Sequence, residues 1–148
     1  MKAFGQNGQL SGMSLCLVVK LYLLACTTGT WCVDTGATNH VCNSLQGFQE
    51  SKRLAEGEIY LLMGDTSRVA AVVVRVVTLH FGGGKKLVLS DCLYVPGVRR
   101  NLVSVSCLSC NRYSSLFNKY FIFIKYKNDV ICRGMLSDNL YLLEPTSL

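Results

Sequence analysis

The stretch that decides the fold is Trp31-Cys32-Val33-Asp34-Thr35-Gly36-Ala37-Thr38-Asn39-His40. An apolar run ends in an acid, a hydroxyl residue and a glycine. The apolar part predicts a buried strand, and Thr35-Gly36 the turn that stops it. Asp34 then stands at a strand end, where a carboxylate can face a cleft. Gly36 carries no side chain, so another backbone or a ligand can approach closely. The purely structural alternative is an Asx-type turn, with Asp34 bonding its own loop.

Outward from this loop the chain is rich in short β-branched runs. Glu58–Met63 predicts a strand, Gly64-Asp65 a turn, and Val69–Leu79 a second strand. Gly82-Gly83-Gly84 marks a hairpin whose return strand is Leu87-Val88-Leu89. Cys92–Val95 predicts a further short strand, stopped by Pro96-Gly97. Leu102–Leu108 alternates apolar residues with Ser, the period of a half-buried strand. Tyr120–Ile124 and Val130–Cys132 flank a turn at Asn128-Asp129, and Leu140–Leu143 closes the series. Residues 43–57 are polar and predict a loop with one helical turn. Many short strands with no long helical period give an all-β fold, a closed or nearly closed barrel of short antiparallel strands with little helix.

With 148 residues the chain is sized for one domain. Half of it is hydrophobic and 16% is charged, which supports a packed core rather than disorder. The net charge of +6 permits an acidic partner. The basic residues are dispersed in pairs such as Lys52-Arg53, Lys85-Lys86 and Arg99-Arg100. With neither a basic helix nor an aromatic-interleaved stripe, no dedicated nucleic-acid binding is expected. Of the eight cysteines, Cys16, Cys26, Cys32, Cys92 and Cys132 each sit beside an apolar neighbour, as buried free thiols do. This predicts mostly reduced cysteines and an intracellular, cytoplasmic protein. Cys107-x-x-Cys110 has no second pair at zinc spacing, so no metal and no cofactor is expected, even with His40 and Cys42 in view. The apolar segment Met13–Cys26 is too short for a membrane span and contains Lys20. No membrane association is expected.

Asp34-Thr35-Gly36-Ala37 resembles the active-site loop of retropepsin-like aspartic proteases. Its continuation through His40-Val41-Cys42 is similar to the start of the protease region in copia-type (Tnt-type) retrotransposon Pol polyproteins. The block Asp91-Cys92-Leu93-Tyr94-Val95-Pro96-Gly97-Val98-Arg99-Arg100-Asn101-Leu102-Val103-Ser104-Val105-Ser106 resembles the same family more specifically. Asp138–Leu143 is similar to it where the barrel gives way to the next Pol segment. The likeness runs from about residue 30 to 148, leaving residues 1–30 as a non-family, poorly ordered segment and 31–148 as the barrel. It implies a retropepsin-like barrel in which Asp34 is catalytic and Thr35, Gly36 and Ala37 contact substrate.

Peptide hydrolysis by this class needs two carboxylates sharing a proton around one water. The chain has one Asp-Thr-Gly, so the resemblance implies a homodimer acting on a polypeptide, its own Gag-Pol polyprotein. Two positions depart from the family pattern. Ser104 stands where retropepsins carry a glycine in the strand beside the loop, a mild departure because copia-type sequences tolerate serine here. Arg75 stands at another such place, in a stretch expected to form the flap, where a long charged side chain works against closure. Three alternatives accompany this reading: an inactive barrel relic, a non-enzymatic all-β interaction module, and a secreted disulfide-rich protein resting on residues 1–26 and the cysteine count.

Overall fold

A computed structural model describes residues 29–44, 50–53, 58–62 and 67–146. The expected Gly64-Asp65 turn, and the segment before residue 29, lie outside the described residues. Twelve strands account for most of the rest: β1 Trp31–Asp34, β2 Val41–Cys42, β3 Glu50–Arg53, β4 Tyr60–Leu62, β5 Arg68–Ala70, β6 Val73–His80, β7 Lys86–Tyr94, β8 Asn101–Ser104, β9 Tyr113–Phe117, β10 Phe121–Tyr126, β11 Asp129–Ser137 and β12 Leu140–Leu143. Among the described residues one short α-helix, α1, spans Val105–Cys110, and Gly82–Gly84 make a 3-10 turn. The chain is an all-β barrel-type fold.

Ten strands form one curled sheet in the order β3-β6-β7-β2-β8-β1-β12-β11-β10-β9, and β4 pairs with β5 in a separate hairpin. The expectation of antiparallel pairing needs one correction. β1 runs parallel to β8, with Trp31 opposite Asn101 and Asp34 opposite Ser104, and β2 runs parallel to β7. Strands so far apart in sequence meet through long connections, which a parallel pair requires.

Side-chain alternation sends successive residues of a strand to opposite faces. Trp31 and Val33 therefore enter one core with Leu79, Leu89, Val103, Ile124 and Leu143. Cys32 enters the other with Val41, Leu61, Leu93, Val95 and Leu102. The β4–β5 hairpin covers this second core. It is anchored where the Ala71 amide donates to the Ile59 carbonyl and the Val72 amide to the Tyr94 carbonyl. Burial on both faces is why Trp31-Cys32-Val33 of β1 and Leu102-Val103 of β8, at the sheet's centre, are apolar at successive positions.

Several local expectations are corrected. Leu87–Leu89 and Cys92–Val95 belong to one strand, β7, because Ser90-Asp91 is absorbed as a bulge: the pairing with β6 shifts between Arg75 and Val77, and Asp91 takes φ 53°. Leu102–Leu108 is not one strand. Ser104 accepts a hydrogen bond from the Cys107 amide, capping α1 and turning the strand into a helix. Strands β3 and β9 lie where no strand was expected. The expected strand Val69–Leu79 is two: β5 pairs with β4, and Arg75 lies in β6, which pairs with β3 and β7 in the main sheet. It is buried there, and its guanidinium donates to the Ser44 carbonyl.

Tight contact fixes Gly134 in β11. A Cβ there would lie 2.7 Å from Ile122 Cγ2, 2.9 Å from the Leu142 carbonyl oxygen and 2.9 Å from Leu143 Cδ2. The Leu142 oxygen is backbone and cannot rotate away. Gly134→Ala is expected to cost about 2 kcal/mol in urea unfolding. An unchanged midpoint would mean that β10, β11 and β12 meet differently.

Candidate active site

Asp34 ends β1 opposite Ser104, and the chain turns at once. The Gly36 amide donates to Asp34 Oδ1 at 2.9 Å, closing an Asx turn. Thr35 and Gly36 are exposed at its tip, whereas Ala37 is only 1% exposed. The four candidate residues are thus divided. Asp34, Thr35 and Gly36 lie at or near the surface, and Ala37 is an anchor beneath them.

Hydrogen bonds hold that anchor. Ser104 Oγ donates to the Ala37 carbonyl at 2.6 Å while accepting from the Cys107 amide. Ser106 Oγ lies 2.9 Å from Ser104 Oγ and 3.3 Å from the same carbonyl. The Cys107 thiol donates to the Thr38 carbonyl at 3.2 Å. The loop that follows Asp34 is therefore bonded to the first turn of α1 rather than left in solvent. Ser104→Ala removes the helix cap and one donor to Ala37 together. Its expected cost is about 2 kcal/mol by chemical denaturation, with faster amide exchange across residues 36–38. Unchanged exchange would separate the hydroxyl from the loop.

His40 is the second support. It is 1% exposed, and its Nδ1 accepts from the Ser104 amide at 3.0 Å. That bond requires the neutral tautomer with its proton on Nε2, which is buried with no partner among the described residues. Burial lowers the pKa of His40 from 6.5 to about 4. In the sequence His40 is part of the family-like run after the loop, and nothing there marks it as a support for Ser104. Among the described residues no three His, Cys, Asp or Glu side chains are grouped to hold a metal ion.

None of the six described cysteines is in a disulfide. Cys42 and Cys92 are buried near Arg75. A hydrogen bond with Cys92, followed by the attraction of Arg75, brings the Cys42 thiol down to about 7, and burial pushes Cys92 up. Among the described residues no helix is long and apolar enough to cross a membrane.

One Asp-Thr-Gly loop supplies one carboxylate, which can act as an acid or a base but not as both at once. A hydrolytic pair therefore needs a second copy of this loop.

A protein-family model described as "Pol polyprotein, beta-barrel domain" matches residues 31–113, from the start of β1 to the first residue of β9. It covers more than half of the chain and includes the Asp34 loop, β8 and α1. No curated protein and no solved structure matches the chain.

Proposed function

Because the chain belongs to the Pol polyprotein β-barrel domain family, we propose that it is a copia-type, retropepsin-like aspartic endopeptidase domain that acts as a homodimer on its own Gag-Pol polyprotein. The observation that carries this reading is the mounting of the Asp34 loop. An exposed Thr35-Gly36 tip rests on the buried Ser104, His40 and Ala37. A reactive carboxylate needs such a fixed base, because its geometry must survive substrate binding.

In the dimer the two Asp34 carboxylates share one proton. Like charges so close cannot both ionise, so one stays neutral and one is a carboxylate. The carboxylate takes a proton from the attacking water, and the neutral acid donates to the scissile carbonyl. Thr35 bonds across the two-fold axis and Gly36 lines the path of the substrate backbone, while Ala37, buried beneath the tip, holds the loop in place. In this reading the β4–β5 hairpin closes over substrate, and Arg75 lies outside it, in β6. Six thiols outside any disulfide support an intracellular, cytoplasmic setting.

A second reading is a non-enzymatic relic or interaction module. It is favoured by the Gly36–Asp34 bond, which makes a complete structural turn without any chemistry. Incubation of purified protein with its flanking polyprotein at mildly acid pH, with and without an aspartic-protease transition-state mimic, decides between them. Cleavage that the mimic abolishes supports the endopeptidase. A polyprotein left intact by a folded dimer supports the relic.

A further inference from the structure

We propose that the outer face of β9–β11 binds single-stranded nucleic acid. This face lies almost wholly beyond residue 113, where the family match ends, and it stands apart from the chemistry of Asp34. Along β10, Ile122 and Ile124 point into the core, so Phe121, Phe123 and Lys125 point out. The register places Leu116 and Arg133 on either side of Phe123, and Met135 beside Phe121. Leu116 is 55% exposed and Met135 57%. The Arg133 guanidinium stacks 4.7 Å from the centre of the Phe121 ring, and the Phe121 and Phe123 rings are 6.1 Å apart.

Charge selects the occupant. Residues 112–133 contain Arg112, Lys119, Lys125, Lys127 and Arg133 against one acid, Asp129, which is already paired with Lys85. That is +4 of the chain's net +6. Lys119 lies in the turn before β10, beside the Phe121 end of the aromatic strip, and Lys125 follows Phe123 on the same face, whereas Lys127 lies over Tyr126. An uncharged protein partner makes no use of this arrangement, whereas a polyanion does. Rings flanked by cations fit bases that stack and phosphates that pair, and only an unpaired strand offers its base faces. The two rings and Lys125 alternate along β10 itself, and register adds Arg133, Met135 and Leu116 from the neighbouring strands.

Fluorescence anisotropy with labelled oligo(dT) and oligo(U) of about 20 nucleotides, against a duplex of the same length, tests the proposal. The single strands are expected to bind at least about tenfold more tightly than the duplex, with affinity falling as salt rises. The Phe121→Leu/Phe123→Leu pair keeps apolar bulk but removes stacking, and should weaken binding at least about fivefold. Arg133→Ala, at an exposed position, should weaken it too and lower the salt slope by about one. Arg68→Ala, on the β4–β5 hairpin, removes equal charge elsewhere and should not weaken it. Three results would overturn the proposal: no binding by the folded protein, equal binding to duplex with indifference to both face variants, or a self-association that covers the face and is relieved by Arg133→Ala.

Discussion

Asp34→Asn is expected to abolish cleavage, by about 10³-fold or more, while leaving the fold intact. The amide keeps the size of the carboxylate, and its Oδ1 still accepts from the Gly36 amide, so the turn that ends β1 survives. What is lost is the ionisable pair. Two side-chain amides hold no shared proton and can neither deprotonate water nor protonate a carbonyl. Mixing separates this from a local effect. When equal amounts of mutant and wild-type chains pair at random, half of the wild-type chains are locked with a mutant partner. Activity should then fall to about half of that from the same wild-type chains alone. Undiminished cleavage by Asp34→Asn would exclude this residue as the acid. Loss of cleavage without poisoning in the mixture would exclude the second copy.

Acid is expected to unfold the protein through His40, and the same experiment fixes the pH range in which any activity can be measured. The folded pKa of about 4 lies below the ordinary 6.5 because burial disfavours the imidazolium. Between those values the unfolded chain binds a proton that the folded chain refuses, so stability falls as pH falls through this window and is unaffected by His40 above it. The loss approaches roughly 3 kcal/mol at pH 4. Protonation would also put a hydrogen on Nδ1, facing the Ser104 amide that now donates to it. His40→Asn keeps an acceptor near the Nδ1 position and cannot take the proton. Its urea midpoint should be lower near neutrality but flatter from pH 6.5 down to pH 4 than that of the wild type. Parallel pH profiles for the two proteins would assign the acid sensitivity to other groups.

Much of this fold was legible in short range. β1, β10 and β12 follow from apolar runs bounded by turns, and the β10–β11 turn holds positive φ at Lys127 and Asn128, close to where the sequence placed it. What stayed hidden depended on distant partners. Ser90-Asp91 looks like a break until β6 offers a strand against which it can bulge. Ser104 continues an alternating pattern until its hydroxyl is given the Cys107 amide, after which Val105–Cys110 can only be helical. The site divides in the same way. Asp34-Thr35-Gly36 is visible because its turn chemistry is local, whereas the supporting roles of His40 and Ser104 exist only where β8 lies beside β1. The break between β5 and β6 stayed hidden because a β-branched run does not reveal where one strand stops and the next begins.

The position of β1 has a further consequence, for how the chain comes to be folded at all. Its neighbours are β8 and β12, and Trp31 pairs with Asn101 on one side and Leu143 on the other. Neither partner exists when Trp31 leaves the ribosome. At about 5–20 residues per second, the chain needs roughly 6–20 s to synthesise the strand that seals the far side. Closing such long loops precedes any reward from the contacts, which places this barrel among slow folders, on the millisecond-to-second scale once complete. Until Leu140–Leu143 is made, β1 waits with the edge that β12 will cover still open, a template for pairing with other nascent chains. A ribosome-bound chain that ends before Leu140 is therefore expected to need a chaperone, whereas the finished domain is not.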